Sequence, residues 1–478
     1  MSEAIGKTRA GVDDGSKVNG SESLKKKVLD KPTTKTSVVV EPSAVHETLS
    51  RHMLVDGFDF VVDLKRSEGS YIFDSRFKKR YLDFFSFFAS SAVGMNHPKL
   101  TEKSFLEKLA IVSVNKPSNS DAYTTEMAEF VETFSRIVQP IYLPHVFFVD
   151  GGALAVENAV KAAFDWKVRK NFAKGYKEER GHQVIHFQHA FHGRSGYTLS
   201  LTNTDPTKTN YFPKFAWPRI ASPAVKFPLT EAHLNEVMLE EEKAVGQITD
   251  AIRQHKDDIA AIIIEPIQAE GGDNHFRKEF LAKLRQICDE NDILLIFDEV
   301  QTGIGITGKM WAHEHFVKPD LMSFGKKTHI CGFMSSTRID DVPENVFHKA
   351  SRINSTFGGN LVDMVRFTRI MEIIQEENLV ENARVQGEFL IKELHEMARQ
   401  YPALVSNVRG KGLMCAIDLD SPEHRDTMKK KAYDDGLIII GCGDRSIRFR
   451  PPLTIHRKEL EEGFSIMLNV LRQIGARS

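Results

Sequence analysis

Five short apolar runs, HVFFV (145–149), VIHF (184–187), AAIIIE (260–265), ILLIF (293–297) and LMSF (321–324), recur through the middle of the chain with amphipathic stretches between them. Runs of this length are short for helices, and with few polar residues at alternate positions they suit strands covered on both faces. Parallel neighbours need a crossover of a dozen or more residues, which the intervening stretches supply. The pattern predicts an α/β fold whose large, mostly parallel sheet is wrapped by helices.

The stretch after the first run, 153–170, reads as a helix because Ala155, Ala159, Ala162, Ala163 and Trp166 share a face. Glu157, Lys161, Asp165 and Arg169 follow at spacings of four on the other side, a ladder of alternating sign that reads as a solvated face. RYLDFFSFFASSAVGM (80–95) reads as a core strand and loop, with a ligand-facing aromatic wall as the alternative. From about residue 346 the pattern becomes α+β and ends in a helix over 457–475, where Leu460, Phe464, Met467, Leu471 and Ile474 recur at helical spacing. Residues 1–44 have no sustained period and read as a disordered extension. The expected organisation is therefore that extension, an N-terminal segment of a small domain (45–100), a large sheet domain (101–345) and a C-terminal small domain (346–478). No repeat of 20–50 residues is present.

Composition narrows the function. Lys and Arg total 64 against 65 Asp and Glu, so the formal charge of −1 offers no bulk attraction for nucleic acid or an anionic membrane. No stretch approaches the ~20 apolar residues of a membrane span. The four cysteines are far apart and form no C-x-x-C pair, which argues against a zinc site or disulfide framework and for a reducing compartment. The first residues lack the order of a secretory signal, so the expectation is a cytoplasmic protein.

Three features point to chemistry. Asp150-Gly151-Gly152-Ala153 lies between the first strand and its helix, where small residues and a helix N-terminus suit a phosphate. ILLIF delivers Asp298 and Glu299 at a strand's C-terminal end, where open α/β sheets place ligands. LMSFG delivers Lys326 and Lys327 at another such end, where a lysine that loses its proton can form an imine. Phosphate cradle, buried acid and lysine together match pyridoxal phosphate, with its phosphate, its pyridine nitrogen and its aldehyde.

FFVDGGALAVENAVKAAFDWK, HAFHGRSGYTLSLTNTDPTKTNYFPKF, EPIQAEGGD, IFDEVQTGIGITGKMWA, FGKK, NSTFGGN and IRFRPPL occur in that order, and the chain over roughly 46–475 resembles a class III, ornithine/4-aminobutyrate-type, pyridoxal-phosphate aminotransferase. Within the class it most resembles the lysine 6-aminotransferase branch, through GGALAVENA, NKPSNSD (115–121) and NSTFGGN. The resemblance implies fold type I, with 101–345 as the cofactor-binding domain, and a homodimer with shared sites. It puts Lys326, and not Lys327, on the Schiff-base position, Asp298 on the pyridine nitrogen and Gln301 near the phenolic oxygen. Gly152 and Ala153 fall on the phosphate-binding backbone, Phe191 on the stacking aromatic with His192 beside it, and Thr356 on a phosphate ligand from the second subunit. Arg194 matches the arginine that grips a distant carboxylate, and Asn354 a position that helps hold it. Glu270 and Arg448 match a gate: Glu270 covers Arg448 while the amine donor reacts, then swings away so that Arg448 binds 2-oxoglutarate. The implied reaction is ping-pong transfer of the 6-amine of L-lysine to 2-oxoglutarate, giving 2-aminoadipate 6-semialdehyde and glutamate, with ornithine or 4-aminobutyrate as the alternative donor. Ala269, where the family often has glycine, and Phe88, where it often has a smaller side chain, depart from the pattern and are expected to reshape the donor pocket.

Three rival readings are weaker. Gly303-x-Gly305-x-x-Gly308 fits a dinucleotide fingerprint, yet Asp298 and four further residues separate it from the strand, and the turn should open a helix directly. His182, His186, His189 and His192 have helical spacing for a metal, but the VIHF run reads as strand, so no metal is expected. A fold kept for binding alone fits poorly with lysine, acid and arginine all present.

Overall fold

The structure is a computed structural model that describes residues 38–476. Most of the expected extension, residues 1–37, lies outside the described residues. The described residues up to Val61 form one compact unit, in which a 3₁₀ turn (Pro42–Ala44) leads into the helix Val45–Ser50. Val62–Ser478 form the other, and it holds every element discussed below.

That unit opens with β1 (Tyr71–Phe73) and β2 (Arg80–Asp83), an antiparallel pair. The chain then lays down β3 (His145–Val149), β4 (Gln183–Phe187), β5 (Arg219–Ile220) and β6 (Ile259–Ile264). A small hairpin, β7 (Ile267–Gln268) with β8 (Asn274–His275), precedes β9 (Leu294–Asp298), β10 (Leu321–Phe324) and β11 (Cys331–Ser335). Seven of these make one sheet in the order β3-β11-β10-β9-β6-β4-β5. Only β11 runs against its neighbours, so the sheet is mostly parallel as expected. All five apolar runs are strands. The two strands without a matching run are β5, two residues long, and β11, whose CGFMS lacks a β-branched residue.

Successive residues of a strand point to opposite faces, and the core divides accordingly. Ile263 of β6 and Ile296 of β9 pack with Ala159, Ala163 and Trp166 of the helix Gly152–Ala173. Their neighbours Ile262, Ile264 and Phe297 pack on the other side with Ile248 and Leu284, from the helices Glu231–Gln254 and Lys278–Glu290. The solvated face expected on Gly152–Ala173 is corrected here: Asp165 is buried and pairs with Arg169 (3.0 Å) and Arg352, while Glu157 accepts from Ser195 Oγ. The helix is covered by the segments after β11 and after β4, so Glu157, Asp165 and Arg169 meet protein groups. Charge spacing alone cannot distinguish the two.

After residue 346 the expected α+β pattern follows. The helices Leu361–Glu376, Leu379–Gln400, Pro422–Asp434 and Arg457–Gly475 accompany an antiparallel sheet of β12 (Val405–Lys411), β13 (Met414–Leu419), β15 (Ile440–Cys442) and β16 (Ser446–Phe449). β14 (Leu437–Ile438) pairs in parallel with β2 and so ties residues near the start of this unit to its end. Beyond β2 the phenylalanine-rich run turns sharply: Ser86, Phe87, Phe88 and Ala89 all have positive φ, between 39° and 67°. Phe84 and Phe85 are core, whereas Phe88 is exposed with its ring centroid 5.8 Å from the Arg448 guanidinium.

Candidate active site

The parallel strands point their C-terminal ends at a cavity of about 300 Å³. Nine of the twelve expected site residues line it: Gly152, Ala153, Phe191, His192, Arg194, Glu270, Asp298, Gln301 and Lys326. Asp298 is the last residue of β9, and Lys326 follows β10 by two residues, turning out of the strand at φ 53°. Adjacent parallel strands thus bring an acid and an amine from positions 28 apart in sequence to one edge.

Asp298 is held on both oxygens. Val300 N–H donates to Oδ1 (3.0 Å) and Nδ1 of His192 meets Oδ2 at 2.8 Å. His192 Nε2 is buried without a hydrogen-bond partner among the described residues. Burial pushes the Lys326 amine below its ordinary pKa, although Asp298 and Glu265 pull the other way. Lys327 does not line the cavity; its Nζ donates to the Gln301 carbonyl at 3.1 Å.

At the other end of the cavity the helix Gly152–Ala173 begins, and its first N–H groups have no intrahelical acceptor. The floor admits only small residues. A Cβ on Gly193 would stand 2.5 Å from that of Ala153, and one on Gly152 3.0 Å from Val300 Cγ1. Arg194 stands exposed at the rim without a charged partner among the described residues.

Glu270 and Arg448 meet as expected, Oε2 to Nη2 at 2.6 Å. Arg448 comes from β16 and is buried; its Nη1 also approaches Gln301 Oε1 at 3.4 Å. Burial would raise the Glu270 pKa, but Arg448 and Lys208 more than offset it and hold the carboxyl down at about 2. Gln301 Oε1 also accepts from Arg450 (3.2 Å), which is fixed in turn by a fully buried pair with Asp273 (2.5 Å).

Asn354 and Thr356 do not line this cavity; both are exposed. Their segment is knitted to 115–121: the Thr356 carbonyl accepts from Ser118 Oγ, the Ser355 carbonyl from Ser120 Oγ and the Gly359 carbonyl from Asn119 Nδ2 (2.9 Å). Ala269 is fully buried and does not line this cavity; its N–H donates to Glu265 Oε2 at 3.1 Å.

Three cavity residues had no assigned role in the sequence reading: Glu265, Gly193 and Val300. Glu265 could have been found, because it ends the run AAIIIE as Asp298 ends its own strand. It accepts from Phe191 N–H (3.0 Å), and burial raises its pKa to about 7. The rival motifs dissolve into packing. A Cβ on Gly303 would strike the Trp311 ring at 2.4 Å, and His186 bonds the Leu201 carbonyl instead of gathering with His192.

A strand-end lysine of depressed pKa, an adjacent buried acid and a glycine-lined helix N-terminus, on a seven-stranded mostly parallel sheet, define a pyridoxal-phosphate enzyme of fold type I. Residues 55–471 match the class III aminotransferase family, and the chain belongs to it. The L-lysine-epsilon aminotransferase of Mycobacterium tuberculosis strain H37Rv is 51% identical over 432 residues, 90% of this chain and 96% of that protein. The solved lysine aminotransferase of M. tuberculosis in the internal aldimine form superposes with a TM-score of 0.89 at 50% identity, covering 91% of this chain and 100% of that one. The 4-aminobutyrate aminotransferase of Schizosaccharomyces pombe is 33% identical over 451 residues, 89% of this chain and 93% of its own.

Proposed function

We propose that this protein transfers the 6-amino group of L-lysine to 2-oxoglutarate. The observation that carries the reading is one cavity lined by the Lys326–Asp298 edge, by Arg194, which has no charged partner among the described residues, and by Glu270, which pairs with Arg448 behind it. The 51% identity to a lysine enzyme, against 33% to a 4-aminobutyrate enzyme, supports lysine as donor.

The residues fit pyridoxal phosphate: Lys326 for its aldehyde, Asp298 for its pyridine nitrogen, Phe191 for its ring and the Gly152–Ala153 backbone for its phosphate. When bound, the cofactor supplies a carbonyl that accepts an amine and a ring that withdraws electrons from it. Lys326, its amine favoured in the neutral form by burial, would carry the proton from the substrate carbon to the cofactor carbon that bore the aldehyde. Asp298, oriented by His192 and the Val300 N–H, keeps a proton on the pyridine nitrogen. Arg194 grips the donor's α-carboxylate with its planar fork. Glu270 covers Arg448 during the first half-reaction and uncovers it for 2-oxoglutarate in the second, so one cavity serves a cationic and a dianionic substrate.

Asn354 and Thr356 lie outside the cavity of a single chain, which supports the reading that they complete the site of a second copy in a homodimer. The separate seven-stranded and four-stranded sheets support a large domain over 101–345 and a small domain over 346–478, and the β2–β14 pairing supports counting 62–100 with the latter; the rest of the expected segment 45–100, up to Val61, belongs to the other compact unit. Four buried, unpaired cysteines support a cytoplasmic setting, and among the described residues no helix is long and apolar enough to cross a membrane.

The test is to supply 2-oxoglutarate and lysine carrying nitrogen-15 only at the 6-amine, then weigh the glutamate formed. Labelled glutamate is expected. Unlabelled glutamate would reverse the donor's orientation, and none at all would move ornithine and 4-aminobutyrate to the front.

A further inference from the structure

Glu270 is held by two cations. Its Oε2 meets Arg448 Nη2 at 2.6 Å, and its Oε1 meets Lys208 Nζ at 2.8 Å. Lys208 belongs to the short turn of helix Pro206–Thr209, pinned where Asp205 accepts from Thr207 N–H at 2.8 Å. The backbone of Glu270 is pinned as well, its carbonyl accepting from Gly443 N–H at 3.0 Å. A Cβ on the next residue, Gly271, would overlap the His189 carbonyl oxygen at 1.9 Å. Any movement of the carboxylate is therefore confined to its side-chain torsions.

The cost of that movement depends on what the carboxylate keeps. About a quarter of the Glu270 side chain is exposed, and Arg448 is 1% exposed. A carboxylate that left a buried arginine with nothing in exchange would lose its charge-assisted bonds inside a cavity, a penalty that favours the closed gate. Because the two cations hold different oxygens, one contact can break while the other stays.

We propose that Lys208 is a positioning residue for the second half-reaction: it keeps Oε1 of Glu270 while Oε2 leaves Arg448, so that the carboxylate pivots on the lysine. The inference rests on the gating role proposed above for Glu270 and Arg448. When the gate is closed Lys208 is one of two partners; when it is open Lys208 is the remaining one. Removing it costs more in the open state, so the population shifts toward closed and 2-oxoglutarate must compete harder for Arg448.

In the pyridoxal-phosphate-loaded enzyme, Lys208→Met is expected to raise the KM for 2-oxoglutarate about tenfold while the lysine half-reaction suffers less, and Lys208→Arg is expected to restore most of the loss. Calorimetric titration with glutarate, a dicarboxylate without a reactive carbonyl, gives a readout independent of turnover. Lys208→Met should weaken glutarate binding by a similar factor, yet add no further loss in a Glu270→Ala background. A loss that persists without Glu270 overturns the proposal, because Lys208 then contacts the dicarboxylate itself. Unchanged glutarate binding in Lys208→Met overturns it too. Glu270-dependent glutarate binding without any transfer from lysine supports the pivot and sinks the lysine reading.

Discussion

Nδ1 of His192 lies 2.8 Å from Oδ2 of Asp298, and both side chains are closed off from solvent. The pair joins the loop after β4 to the end of β9, two strands that are not adjacent in the sheet. It fixes which way the carboxylate faces, since the other oxygen is already occupied by the Val300 N–H.

His192→Leu should therefore cost activity without moving Lys326. Removing an outer partner of a functional group typically costs ~10–100-fold, and leaving a buried carboxylate short of a bond adds about 1–3 kcal/mol of destabilisation. Steady-state kinetics with a urea titration would check it. A variant with unaltered kcat would show that Asp298 needs no such support.

Lys326→Ala should lower transamination by more than roughly 10³-fold while the protein still folds and binds pyridoxal phosphate without a covalent bond. Borohydride treatment followed by mass spectrometry separates the forms: wild type retains the cofactor mass, and the variant does not. Retained turnover would remove Lys326 from the mechanism.

Gly193→Ala tests the cradle. At φ 120° an L side chain is strained, and its Cβ would sit 2.5 Å from Ala153 Cβ and 2.9 Å from Thr198 Oγ1. A stability loss of about 2–4 kcal/mol and weaker cofactor retention are expected. Absorbance titration with pyridoxal phosphate measures the second, and unchanged affinity would mean that the loop carries none of the phosphate's binding.

Glu265 makes stability depend on pH. Burial raises its pKa from 4.5 to about 7, so the folded chain keeps a proton that the unfolded chain has lost. Stability contributed by the neutral carboxyl is full below about pH 4.5 and is lost as pH rises to 7, by about 3 kcal/mol in all. Urea unfolding of the cofactor-free protein at pH 5 and pH 8 should show wild type losing ground to Glu265→Gln over that interval. Parallel pH dependences would contradict the assignment.

The sequence by itself determined the elements whose signal is local. An apolar run such as ILLIF has one good solution, a strand covered on both faces, and the acid that follows it must emerge at the strand's end. The five expected strands, the first sheet helix and the terminal helix rest on that argument, and so do the strand-end pairs Asp298–Glu299 and Lys326–Lys327, within which only motif likeness chose Asp298 and Lys326. Motif likeness placed Phe191, Arg194, Glu270 and Arg448, which no periodicity singles out, whereas the small-residue loop at Gly152 was legible from the strand-to-helix turn itself. Tertiary structure decided what depends on neighbours remote in the chain. The ladder Glu157–Arg169 is sheltered because segments up to 187 residues away cover it, as in the Arg352–Asp165 bond. Lys208 reaches Glu270 across 62 residues, and Arg448 reaches it across 178. Spacing along a helix or strand constrains which residues share a face; which charge stands opposite that face is fixed only when separate elements pack together.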